Sequence, residues 1–396
     1  MPRLYTYALI PAIGLILLLL TPGVQTTFAA QTMTWAYIFL LSSSISFCLV
    51  PLIIRLAVRI DAVDKPGGRK THQNVTPLMG GAAIFFGFAL VMILAQDILH
   101  FTEGHKGVAL GALLIFIIGV MDDVWGLSAK VRLVAQFLAV AILVKYGVVM
   151  SFLPDTWWGL AGEYFITLLW VVGITNAVNF LDGMDGLACG TSAINAGFFS
   201  LVALRGGTAD PFMQTMLMLS MALAGSCLGF LPYNLRRHHP GLIFLGDSGS
   251  NFLGFTLAGI GILGDWGGDN WVGLVVPIVI LGVPIFDTTL TTVVRLTTRE
   301  VRSFGEWLRY TGRDHFHHRL SDLGLGNKRA VLVIYLVSIG QGLEALVLRN
   351  ARGFDALFSI VQVALAFLLM GAFMVFVHAR YIKLVEIRRS NSSDTS

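Results

Sequence analysis

The residues able to do chemistry gather in a few short segments. Asn179, Asp182 and Asp185 recur every three positions in NAVNFLDGMDGLA. On a helix that spacing projects them from nearly one face. Gly183 and Gly186 interrupt the helix and let backbone approach a ligand. An amide and two carboxylates on one stripe suit a hard divalent cation bound through oxygen, Mg²⁺ with Mn²⁺ as the alternative. Asp122 and Asp123 close an apolar run in GVMDDVWG. As neighbours they leave a helix in different directions, so at most one can touch a given metal. Asp247 lies in the glycine-rich turn FLGDSGSN, where backbone amides can meet phosphate while the acid takes a cation. No Lys follows these glycines, so it is not a P-loop. Asp287, in PIFDTT, is a further acid near a helix end.

Cations face these acids. RDHFHHRL places Arg313, His315, His317, His318 and Arg319 within seven residues. H-x-H-H spacing admits zinc, but the segment lacks Cys and there is no H-E-x-x-H. A clamp for an anionic substrate fits the Arg and His content better. DAVDKPGGRKTHQNVTPLMGG adds Lys65, Arg69, Lys70 and His72 around a Pro66-Gly67-Gly68 turn. Its Gly80-Gly81 pair allows close helix packing. Asp97, Glu103, Asp155, Glu163, Asp210, Asp265 and Asp269 read as solvated charges of the opposite loops. His100, His105 and His378 read as surface residues.

The elements that must position these groups follow from composition. The 396 residues are 56% hydrophobic and 13% charged, against about 25% charged for soluble domains. That excludes a disordered, fibrous or multidomain soluble protein. Cys48, Cys189 and Cys227 lie in apolar runs without metal spacing and read as small core residues. Apolar segments of spanning length lie near 7–22, 35–58, 79–95, 107–121, 131–150, 164–181, 187–204, 213–233, 243–263, 271–296, 328–348 and 356–377. The expected fold is an all-α polytopic integral membrane protein of 11–12 spans. Residues 1–34 form an extra N-terminal hydrophobic helix or signal-like segment, 35–380 the membrane domain, and 381–396 a polar tail, frayed from Ser390. Of the 27 Lys and Arg, 22 fall in one alternating set of loops and at the ends of the chain. The positive-inside rule puts that set, and the chemistry-bearing segments with it, in the cytoplasm. The bilayer is the expected partner; no basic stripe with interleaved aromatics points to nucleic acid.

Acids for a divalent metal and cations for phosphate on one side suit an enzyme that joins a soluble phosphorylated substrate to a lipid-borne one. A secondary transporter has similar helices, but its coupling groups sit near mid-span.

In order along the chain, DDVWGLSAKVR, NAVNFLDGMDGLA, FLGDSGS and HFHHRL, preceded by DKP…MGG, resemble the polyprenyl-phosphate N-acetylhexosamine-1-phosphate transferases. The resemblance covers about 50–380 and is nearest the bacterial undecaprenyl-phosphate GlcNAc-1-phosphate transferase branch. The helix at 7–22 departs from that family's eleven-helix pattern. The resemblance implies that undecaprenyl phosphate attacks the β-phosphorus of a UDP-N-acetyl sugar, most simply UDP-GlcNAc. UMP leaves, and an envelope polysaccharide such as O-antigen is initiated at the bacterial inner membrane. It implies Asn179 and Asp247 as ligands of Mg²⁺ and Lys130 at the phosphates. His315, His317, His318 and Arg319 would meet the sugar-phosphate end, and Lys70, Asn176 and Arg313 are further substrate contacts. Asp122 and Asp123 would lie at the lipid phosphate, and Asp182 and Asp185 beside the nucleotide. The sugar remains open, as does a homodimer.

Overall fold

In lipid every backbone N–H and C=O must find its partner within the chain, so long apolar segments become helices. The computed structural model describes residues 3–21, 23–30, 33–66, 75–97, 99, 101–206, 210–236, 239–264, 266–267, 270–299, 301, 306 and 315–393. Helix occupies all twelve positions expected to span. The first ten helices are α1 Arg3–Leu19, α2 Val24–Ala30, α3 Thr34–Arg59, α4 Gly81–Leu94, α5 Glu103–Trp125, α6 Ala129–Lys145, α7 Trp157–Leu181, α8 Leu187–Gly206, α9 Pro211–Asn234 and α10 Gly246–Leu263. Then come α11 Asn270–Ile280, α12 Gly282–Thr297, α13 Phe316–Leu320, a π-helical turn Ser321–Leu325, α14 Asn327–Leu348 and α15 Phe354–Ser393.

Seven of these are long and apolar enough to cross a membrane: α3, α5, α7, α8, α9, α14 and the Phe354–Phe373 part of α15. The 271–296 segment, expected as one helix, is instead α11 and α12, bent by 77° at the break between them. Pro284 has no N–H to give the Ile280 carbonyl, so the helical ladder is weakened at the bend. Counted as one broken span, the pair brings the total to eight. α1, α4 and α6 are shorter, and α10 opens on the polar turn GDSGSN. α15 stays helical through Ser393, where the sequence suggests a frayed tail from Ser390. A two-residue antiparallel pair, Val63–Asp64 with Thr76–Pro77, closes the base of the DKP…MGG loop.

α10 is the centre. Every residue from Ser248 to Ile260 is buried, with α4, α5, α7 and α8 packed around it. Small residues allow this approach. A Cβ on Gly81 would fall 2.1 Å from the Gly249 backbone, so α4 and α10 touch main chain to main chain.

Two readings of the far end are corrected. Glu163 is buried rather than solvated. Its carboxylate accepts the Phe152 and Leu153 amides at 2.7 and 2.9 Å and the Ser151 hydroxyl at 3.2 Å, tying down the turn before α7. His105 is also buried, and closes a capping box with Thr102 at the start of α5.

Candidate active site

The chemistry sits where α5 and α7 end and α10 begins. Asp123, in the last turn of α5, points at the start of α10. Its Oδ1 accepts the Asp247 amide at 2.7 Å and its Oδ2 the Ser248 amide at 3.2 Å. α10 has no side-chain cap of its own, so a carboxylate 124 residues earlier in the chain supplies one, where the helix dipole favours an anion. Gly246 makes this possible. Its φ is +76°, and a Cβ there would lie 2.6 Å from the Asp123 carboxylate.

Asp122 leaves α5 on another side, as adjacent helix positions must. It accepts the Leu127 amide at 2.5 Å and the Arg132 guanidinium at 3.0 Å. Arg132 also lies 3.5 Å from Asp247 Oδ2, bridging the two acids. Asn179, in the last turn of α7, donates through Nδ2 to Asp247 Oδ1 at 2.5 Å and to Ser250 Oγ at 2.8 Å. Its Oδ1 is then the atom left to ligate. Asp182 caps the end of α7. Desolvation there, then the carboxylates of Asp247, Asp123 and Asp185, hold its carboxyl well above the usual carboxylate range, opposed by the Gly246 amide.

Asp185 stands one turn aside and accepts the Gly241 amide at 2.8 Å. Asn234 and Tyr335 fix the Gly186 turn beside it. Asn234 Oδ1 takes the Gly186 amide at 2.7 Å, and Tyr335 Oη donates to the Gly186 carbonyl at 2.5 Å. Asn176, a turn before Asn179, donates to Gln136 Oε1 at 2.8 Å. A small cleft between α5, α6 and α10 is lined by Ile115, Gly119, Asp122, Arg132, Gln136 and Asn251.

The histidine loop docks on the same end. His317 lies directly over Gly183, where a Cβ would come 2.3 Å from Nε2. His315, His317 and Arg319 are buried, and His318 is half-buried with its ring 4.2 Å from that of His317. Lys130 is exposed on the first turn of α6. Lys70 and Arg313 lie outside the described residues. Of the residues expected at the site, the structure thus joins Asp122, Asp123, Asn179, Asp182 and Asp247 in one cluster. It brings the 315–319 segment against them. Arg132 and Gln136 were missed as site residues. Their signal in the sequence is KVRLVAQ, which puts them four residues apart on one face of a helix just after the DD end.

Four carboxylates, two of them bridged by one guanidinium, leave an excess of negative charge with hard oxygen donors. That fits a divalent cation of the Mg²⁺ type, which needs one or two carboxylates and completes its shell with water and substrate phosphate. Among the described residues no three His, Cys, Asp or Glu are grouped to chelate a metal by themselves. The acids sit at helix ends at one end of the bundle, away from the mid-span position of a transporter's coupling groups.

A family profile described as glycosyl transferase family 4 matches residues 105–265, the stretch from α5 through α10. A probable undecaprenyl-phosphate N-acetylglucosaminyl 1-phosphate transferase of Bacillus subtilis is 38% identical over 81% of this chain and 87% of its own. The chain belongs to glycosyl transferase family 4. A decaprenyl-phosphate N-acetylglucosaminephosphotransferase of Mycolicibacterium smegmatis is 36% identical over 71% of this chain and 74% of its own. An undecaprenyl-phosphate alpha-N-acetylglucosaminyl 1-phosphate transferase of Yersinia pestis is 28% identical over 90% and 95%. Within this family the chain is a multi-pass membrane transferase, and the profile spans all five acids and amides of the cluster.

Proposed function

We propose that this protein transfers GlcNAc 1-phosphate from UDP-GlcNAc to undecaprenyl phosphate, releasing UMP, at the cytoplasmic face of a bacterial inner membrane. The product would initiate an envelope polysaccharide. The observation that carries this is the convergence of Asp122, Asp123, Asp182, Asp247 and Asn179 on the α10 N-terminus. It stands at the end of the bundle to which the positive-inside count assigns 22 of the 27 Lys and Arg, and relatives of the chain are named as polyprenyl-phosphate N-acetylglucosaminyl 1-phosphate transferases.

A lipid phosphate has its second pKa near 6 and is largely dianionic at neutral pH. One of its oxygens forms a bond to the β-phosphorus while the bond to UMP breaks. Little proton removal is needed, so catalysis rests on positioning and charge neutralisation. The aspartates support this reading. Asp123 has an amide on each carboxylate oxygen, and Asp122 an amide on one and a guanidinium on the other. Groups so engaged orient neighbours and make poor nucleophiles. Arg132 offsets part of the charge, and the His315–Arg319 segment presents cationic and donor groups to the soluble substrate. Mg²⁺ held by Asn179 and Asp247 would supply neutralisation of the diphosphate.

Purified protein in detergent, given both substrates, should release UMP and form the lipid pyrophosphate, read by mass, and chelation should abolish the reaction. Without lipid acceptor, single-turnover UMP release should be absent. One UMP per protein with label trapped on an aspartate would overturn direct displacement.

A further inference from the structure

Asp287 stands apart from the acid cluster. It lies in α12, just beyond the bend, and it is wholly buried. Both of its oxygens go to the start of α13. His315 Nδ1 lies 2.8 Å from Oδ2, and the Phe316 amide donates to Oδ1 at 2.5 Å. On its other side the His315 ring faces Arg295, with Nη2 3.4 Å from Nε2. Asp287 and Arg295 are eight residues apart, two turns along one face of α12. The imidazole therefore bridges a carboxylate and a guanidinium presented by a single stripe.

α13 cannot stand alone. It has five residues and its N-cap residue, His315, makes no side-chain cap bond, while an isolated helix of that length does not form in water. Asp287 supplies the missing cap from another element. Its bond to Nδ1–H also fixes the ring so that Nε2 faces Arg295. The orientation passes on: the His315 and His317 rings stack at 5.9 Å, and His317 sits on Gly183, next to Asp182.

We infer that Asp287 is a positioning residue which caps α13 and orients His315, and thereby seats the histidine loop on the acid cluster for the soluble UDP-sugar. The inference rests on the proposed reaction for its substrate, but the docking itself can be read without substrate.

A purely structural glue would lower folding and turnover and raise both Michaelis constants together. A positioning role separates them. In Asp287→Asn, KM for UDP-GlcNAc should rise about tenfold, the loss expected for one charge-assisted bond. KM for undecaprenyl phosphate should stay within about twofold, and the melting temperature in detergent near that of the parent. His315→Asn, whose amide can still donate to the carboxylate, should keep more activity than His315→Ala. The double variant Asp287→Asn/His315→Ala should be no worse than the poorer single one. Hydrogen exchange across 315–325, measured without substrate, should accelerate in Asp287→Asn. Parallel rises in both Michaelis constants, additive single effects, or unchanged exchange would each overturn the inference. If Asp287→Asn does not fold, the His315 pair decides: equal activity of His315→Asn and His315→Ala sinks it. Accelerated exchange in a protein that never turns over UDP-GlcNAc would uphold the docking and fail the proposed reaction instead.

Discussion

At the scale of single residues, the site is a balance of like charges. Asp182 is the least comfortable member, with three carboxylates around it and its own carboxyl raised. An acid whose folded pKa exceeds its unfolded value binds more protons when folded, so it subtracts stability as pH rises through that window. Asp182→Asn should therefore raise the melting temperature in detergent by about 2–4 °C while activity falls. The gain should be larger at pH ~8 than at pH ~5. A lower melting temperature at pH ~8 would show that the charge is better compensated than its neighbours suggest. Arg132 is the opposite case, a cation holding Asp122 and Asp247 together at 3.0 and 3.5 Å. Arg132→Ala should cut turnover by about 10–100-fold, the range for a charged hydrogen bond. Unchanged turnover would place the working cation elsewhere. The acids were legible in the sequence because ionisable groups beside apolar spans need a reason. Arg132 was not, because topology already accounted for its charge.

At the scale of elements, what the sequence could not give was contact between helices far apart in the chain. Twelve apolar runs and their helices are readable from hydropathy and length. That Asp123 caps α10, or that Asp287 caps α13, is not, since helical periodicity fixes a face but not the partner across it. The bend at Leu281 lay between, marked by Pro284 yet easily read as a continuous run. The Gly80-Gly81 pair marks a packing site in the sequence; only the structure names Gly249 as the partner of Gly81. α4 and α10 meet there through main chain, which cannot move aside. Gly81→Ala should thus displace the α10 N-terminus with its Asp247 and Ser248 amides. The expected result is a loss of activity of about tenfold or more and about 1–3 kcal/mol of stability, the cost of overpacking. Gly340, on α14, has open space at its Cβ, so Gly340→Ala is the control. Equal effects of the two substitutions would show that the α4–α10 approach is not what matters.

At the scale of the whole molecule, topology and chemistry constrain each other. The segments after α3, α5, α7, α9 and α12 meet at one end, as the contacts from Asp123 to α10, Asn179 to Asp247 and His317 to Gly183 require. With the helix ends that flank them, the sequence segments on that side hold 17 of the 27 Lys and Arg. A charged nucleotide sugar does not cross a bilayer, so on the proposed reaction the site end must face the compartment where that substrate is made, and the positive-inside rule points the same end inward. Two independent arguments therefore predict one orientation. It can be checked in a chain freed of Cys48, Cys189 and Cys227, with a single thiol returned at an exposed position of either end. Asp155, before α7, marks the far end, and His239, before α10, the site end; both are exposed. Asp155→Cys should react with a membrane-impermeant maleimide in intact spheroplasts. His239→Cys should react only after the membrane is opened. Labelling of His239→Cys in sealed spheroplasts would turn the molecule over, and with it the supply of its soluble substrate.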